Sequence, residues 1–186
     1  TGERRVRVGD EELEATRAVI LSTGSLPTVP PIEGLSSIDG AWTNREATTA
    51  KAIPERLVII GGGVVGVEMS QAFQTLGSQV TLVEGERRLL PREEEFACAE
   101  LTEALTGYGV DIRCGQKAAR VEERDGTVIV TTDEGAVAEG DTLLVALGRT
   151  PQTAGLGLET VGLSDDGPVE VDARMRGSIA HQTLYR

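Results

Sequence analysis

From Leu57 to Gly66 the sequence reads LVIIGGGVVG, and no other stretch restricts the fold as strongly. Four consecutive apolar residues, Leu57 to Ile60, have the pattern of a central parallel strand buried on both faces. Three glycines follow. Val64 to Leu76 then carries apolar residues at helical spacing and is stopped by Gly77. VTLV, Val80 to Val83, gives a second apolar strand that ends at Glu84. The order strand, glycine turn, helix, strand demands a parallel sheet with a crossover helix.

The turn itself, Gly61 to Gly66, fits the spacing G-x-G-x-x-G. The bare pattern is weak, because glycine-rich turns are common. Its context makes it specific: a buried strand precedes it, a helix opens within it, and an acid closes the next strand. Gly61 permits the tight turn, with Gly62 beside it. Gly63 lets a pyrophosphate approach the backbone, and Gly66 lets helix and strand pack closely. The first amides of the helix, at Val64 and Val65, face the phosphates. Glu84 is the candidate ribose acid: a carboxylate accepts from both adenosine hydroxyls and repels a 2′-phosphate. NAD is therefore expected over NADP, with Arg87 and Arg88 nearby softening that preference. Glu68, near the helix start, gains from the helix dipole whether or not it has a further role.

The rest of the chain frames this unit. Strands are expected at Val6–Val8, Glu12–Ala15 and Ala18–Leu21. Ser25 to Pro54, with four prolines, reads as a connecting segment. PREEE at Pro91 to Glu95 predicts a helix start running to about Thr106, with acids at its positive end. Val110 to Cys114 reads as a strand. Ala118–Val121, Thr127–Thr132 and Ala136–Ala138, joined by Asp125-Gly126 and Glu134-Gly135, predict an antiparallel meander. Asp141 to Ala146 returns to a buried strand, and VEVD at Val169–Asp172 suggests one more.

At 186 residues with a net charge of −12, the chain disfavours phosphate backbones and anionic lipid as partners. Backbone amides at a helix start still admit a small anionic ligand. Two cysteines, Cys98 and Cys114, match neither a disulfide framework nor a metal site and read as small core residues. No apolar run is long enough to span a bilayer and no leader is visible, so a cytoplasmic location is expected. The chain opens at Thr1, next to a strand-like RVRV, which suggests a piece of something longer.

Several motifs together resemble the flavoprotein pyridine nucleotide-disulfide oxidoreductases, in the branch of dihydrolipoamide dehydrogenase and mercuric reductase. They are TGSLP at Thr23 to Pro27, VPPIEGL at Val29 to Leu35, GGGVVGVE at Gly61 to Glu68, RLLPRE at Arg88 to Glu93, ALGRTP at Ala146 to Pro151 and GLGLE at Gly155 to Glu159. The resemblance implies an α/β fold: a Rossmann-like NAD-binding domain with a central parallel sheet and an antiparallel β-meander, flanked by incomplete FAD-domain segments. The implied boundaries are 1–50 for a partial FAD segment and linker, 51–150 for the nucleotide domain, and 151–186 for a partial return.

The same resemblance places Gly61 to Val65 at the NAD pyrophosphate, Glu84 at the adenosine ribose and Ala118 at adenine. It places Gly148 beside the nicotinamide half and Glu68 between nicotinamide and flavin. Thr23, Gly24 and Ser25 fall on the FAD side. The sequence departs from the family pattern in lacking an N-terminal flavin glycine loop, a redox cysteine pair and a C-terminal Gly-Asp motif. His181 is accordingly expected to be a tail histidine and no catalytic base.

The expected function is the NAD(H)-binding portion of an enzyme passing hydride between NADH and flavin, inactive by itself and carrying no catalytic residue of its own. The complete protein would be a homodimer and the piece mostly a monomer. The alternative is a free-standing NADH sensor. The electron acceptor stays open.

Overall fold

The structure, a computed structural model, describes residues 2, 4–177 and 184–185, the last two as backbone. The chain divides into two compact units, Pro27–Gly148 and, from both ends, Thr1–Leu26 with Arg149–Arg186.

In the unit made from the two ends, β1 (Arg5–Val8) and β2 (Glu11–Glu14) form an antiparallel hairpin whose residues are exposed throughout. Its strands carry opposite charge, RVRV against EELE, with Arg5 3.5 Å from Glu12 across the pair. β3 (Val19–Ile20) and β4 (Ser25–Pro27) follow.

The central unit begins at Pro27, ahead of the Lys51 boundary read from the sequence. The reason is burial. Leu35 and Ile38 join the core despite the surrounding prolines. Trp42 lies alongside the sheet, its N–H donating to Leu143 O (2.7 Å) and its carbonyl accepting from Val145 (2.8 Å). Helix α1 (Asn44–Thr49) comes next, started by a capping box in which Thr43 and Glu46 bond reciprocally.

The parallel sheet uses β5 (Arg56–Ile60), β6 (Gln79–Glu84), β7 (Asp111–Cys114) and β11 (Thr142–Val145), in the order β11-β5-β6-β7. The crossovers are α2 (Val64–Thr75) and α3 (Glu95–Gly107). Between β7 and β11 runs the meander β8 (Ala118–Arg124), β9 (Thr127–Thr132) and β10 (Val137–Gly140). Successive residues of β5 serve opposite faces, as strand geometry requires. Leu57 and Ile59 pack with Val67, Phe73 and Leu105 on the helical side. Val58 and Ile60 pack with Val121, Val128 and Val130 of the meander on the other. The expected α/β class, with a central parallel sheet and an antiparallel meander, is the one observed.

The chain returns to the first unit through β12 (Arg149–Pro151), which pairs with β4, and β13 (Leu184–Tyr185), which pairs in parallel with β3.

Three expectations need correction. The second crossover helix starts at Glu95 and not at Pro91, so only Glu95 of the PREEE run lies in its first turn. Leu90 instead bonds to Gly62 of the glycine loop and Leu89 packs against it, as described below. No strand forms at Val169–Asp172, where Val171 makes only an isolated bridge to Gly177. There the Asp172 carboxylate accepts the N–H groups of Arg174 (2.8 Å) and Arg176 (2.9 Å), which turns the chain back on itself. The third meander strand lies at Val137–Gly140, one to two residues later than expected. His181 lies outside the described residues.

Leu144, fully buried in β11, contacts the helical core. Leu144→Ala should lower the unfolding free energy by about 2–5 kcal/mol, read from urea denaturation. A loss under 1 kcal/mol would mean this strand is not part of the cooperative core.

Candidate functional site

At the carboxyl ends of β5, β6 and β11 the chain leaves the sheet through Gly61, Glu84 and Ala146, the edge where open α/β sheets bind ligands. The four glycines of the first turn are not equivalent. Gly61 has φ +107° and its N–H donates to Val83 O (2.8 Å). A side chain on it would press within 2.6 Å of the Ala146 carbonyl oxygen. On Gly62, a Cβ would come within 2.6 Å of Leu89 Cδ2 and 3.0 Å of Glu84 Cγ. On Gly66 it would overlap the Gly61 carbonyl oxygen. Packing alone forces these three.

Gly63 differs. Its backbone is extended, at φ −74°, and it caps α2 without offering a side-chain acceptor. A Cβ there would meet nothing within 4 Å. Any residue could stand at this position for all that the protein's own atoms require. Val64, the first residue of α2, is exposed, and the first-turn amides of a helix have no intrahelical acceptor.

Glu84 is 9% exposed at the end of β6. A buried carboxylate is costly unless hydrogen-bonded, and here both oxygens are used. Oε2 accepts the Gly62 N–H, and Oε1 accepts the Glu86 N–H at 2.7 Å. Each charged hydrogen bond is worth roughly 1.5–3 kcal/mol, enough in pairs to hold the acid in place. The sequence reading gave Glu84 to a ligand alone. It missed this internal duty, which the single glycine between Gly61 and Gly63 was the signal for.

Behind Gly62 lies a strap that the sequence motif RLLPRE marked without explaining. Leu89 is fully buried. Leu90 adopts a left-handed backbone, φ +46°, which costs a non-glycine residue about 1–2 kcal/mol. Its N–H donates to Gly62 O at 2.9 Å. A cavity of about 590 Å³ opens beside this strap, lined by both cysteines, Arg87, Arg88 and Ile112. None of the glycine-loop residues lines it.

The other expected site residues distribute as follows. Glu68 is exposed on α2. Ala118 opens β8 with its methyl group in the core. Gly148, φ +105°, ends the segment leaving β11 and accepts the Thr28 N–H at 2.9 Å. These belong to the same compact unit as the glycine loop. Thr23, Gly24 and Ser25 belong to the other unit. There the Gly24 carbonyl accepts the Gln152 N–H (3.0 Å), and Ser25 Oγ accepts Arg149 Nε (2.8 Å).

Cys114 pairs with Glu84 across β7 and β6. Burial first, and the Glu84 charge second, push its thiol above the ordinary value, partly opposed by a backbone hydrogen bond from Leu89. A raised thiol contributes stability below the ordinary thiol range and loses it as pH climbs through and beyond that range. The pH midpoint for alkylation of Cys114 by iodoacetamide, followed by peptide mass spectrometry, should therefore exceed that of a free cysteine peptide. Glu84→Gln should move it down. A midpoint at or below the peptide value would contradict this account.

The sequence profile of the pyridine nucleotide-disulphide oxidoreductases matches residues 1–183. The chain is 38% identical over 185 residues to a dihydrolipoyl dehydrogenase of Thermus scotoductus, covering 95% of this chain and 40% of that protein. It is 37% identical over 179 residues to a mercuric reductase of Shigella flexneri, covering 93% and 31%. Among solved structures, the Cu(II) complex of the HOCl-induced flavoprotein disulfide reductase RclA from Escherichia coli superposes with a TM-score of 0.87 at 30% identity, covering 98% of this chain and 42% of that one. The chain thus spans 31–40% of the length of these curated relatives. With the parallel sheet, the glycine turn and these likenesses in agreement, the chain belongs to the pyridine nucleotide-disulphide oxidoreductase family.

Proposed function

We propose that the Pro27–Gly148 unit is the NAD(H)-binding portion of an FAD-dependent oxidoreductase of this family, in which hydride passes between nicotinamide and flavin. Gly63 carries the reading. Packing explains Gly61, Gly62 and Gly66, but nothing in the protein needs a glycine at Gly63, where a Cβ would have open space. A ligand brought against the backbone does need it.

In this reading the amides of Val64 and Val65 bind the pyrophosphate at the start of α2, where the helix dipole favours negative charge. Glu84 keeps lone pairs beyond the two it uses internally and accepts from the adenosine ribose. Its fixed charge also sets the preference for NAD over NADP. Two like unit charges 4 Å apart repel by about 4 kcal/mol at an effective dielectric of about 20, so a carboxylate held by two amides resists a phosphorylated ribose. Ala118 contacts adenine through its backbone, since its methyl group is in the core. Gly148 and Glu68 flank the nicotinamide half.

Toward the flavin, the described residues offer Thr23 to Ser25, whose Gly24 carbonyl and Ser25 hydroxyl are already bonded to Gln152 and Arg149. The complete protein is read as a homodimer that supplies the remaining flavin contacts, and the electron acceptor belongs to it.

Gly63→Ala should leave the unfolding free energy within about 1 kcal/mol of wild type while weakening NADH binding at least tenfold by calorimetry. Gly66→Ala, in contrast, should lose about 1–3 kcal/mol of stability as well. Glu84→Ala should weaken NADH binding by roughly 1–3 kcal/mol and narrow the gap between NADH and NADPH. Unchanged NADH affinity in Gly63→Ala would sink the assignment of the loop.

A further inference from the structure

The dinucleotide loop is gripped from behind by a short strap, and the strap is itself held by sulfur. The Leu90 N–H donates to the Gly62 carbonyl at 2.9 Å. The Leu90 carbonyl accepts the Cys98 thiol at 3.3 Å. Peptide groups are planar, so φ and ψ of Leu90 alone set the angle between that N–H and that C=O. Fixing the carbonyl on Cys98 therefore fixes how the N–H meets Gly62. The φ of +46° at Leu90 is one that leucine does not choose unaided, and it needs a partner at each end.

Arg88 completes the arrangement. Its Nη1 donates to Cys98 Sγ at 3.3 Å and its Nη2 to Pro91 O at 3.0 Å. The sulfur thus accepts from the guanidinium while its own hydrogen goes to Leu90, and the guanidinium ties strap residue 91 back to residue 88. On the loop side, Gly62 is held at both of its polar groups, its carbonyl by Leu90 and its N–H by Glu84.

We infer that Cys98 and Arg88 are positioning residues for the dinucleotide loop, acting through the Leu90 backbone to seat Gly62 and, through Gly62, Glu84. This rests on the reading of Gly61–Gly66 as the nucleotide loop. Cys98 is not merely a small residue filling α3's buried side: its thiol hydrogen and its lone pairs are both committed, to two residues of the same strap.

The test measures the affinity of the purified protein for ADP-ribose, which carries the pyrophosphate and adenosine ribose and cannot reduce a flavin. In parallel, hydrogen exchange over residues 61–66 is followed by mass spectrometry. Cys98→Ala and Arg88→Ala should each raise the ADP-ribose dissociation constant about three- to tenfold and speed exchange in that segment. The double variant should be no worse than the worse single, because the two act in series. Cys98→Ser, which keeps a donor and an acceptor, should return most of the affinity. Ile112→Val trims the same cavity with a side chain that makes no hydrogen bond to the strap and should change neither readout. If wild type binds ADP-ribose and the Cys98 and Arg88 variants match Ile112→Val, the inference is overturned. If wild type does not bind it, the nucleotide reading falls, and exchange alone decides the strap: no acceleration over residues 61–66 overturns it.

Discussion

The contact between Gly66 and the carbonyl oxygen of Gly61 is the constraint on which the rest of the central unit depends. It is backbone against backbone. A single added carbon would part the first helix from the strand it follows. Because the helix starts so close to the strand end, its free amides face the carboxyl edge of the sheet and not the core. Because β5 sits between β6 and β11, that edge also collects Glu84 and the segment ending at Gly148. A looser junction would still give a parallel sheet, but its amides and its acid would not converge.

Much of this was legible in the sequence, since the forces that impose it are local and periodic. LVII reads as a strand buried on both faces, and β5 indeed sends alternate residues into two separate cores. The glycine spacing and the acid after VTLV were enough to nominate the loop. The meander followed from two turn dipeptides, each with a glycine in the left-handed region.

What the sequence hid depends on contacts distant along the chain. Leu35, Ile38 and Trp42 stand among prolines and glycines, and no periodicity betrays that they close one face and one edge of the sheet. Pro91 and its three acids have every mark of a helix start, yet the strap's attachment to Gly62 delays the helix to Glu95. The double use of Glu84 was hidden for the same reason: its partner amides at Gly62 and Glu86 are set by three-dimensional closure. Local chemistry proposes an element, and a distant anchor can shift its boundary by several residues.

Trp42 has one further consequence. It is the only tryptophan in the chain, its ring centroid lies 5.6 Å from that of Phe73, and both residues lie in the central unit. Intrinsic tryptophan emission therefore reports on the unit that carries the glycine loop. Comparing its transition with far-ultraviolet circular dichroism, which sees both units, gives a label-free measure of whether the two unfold together.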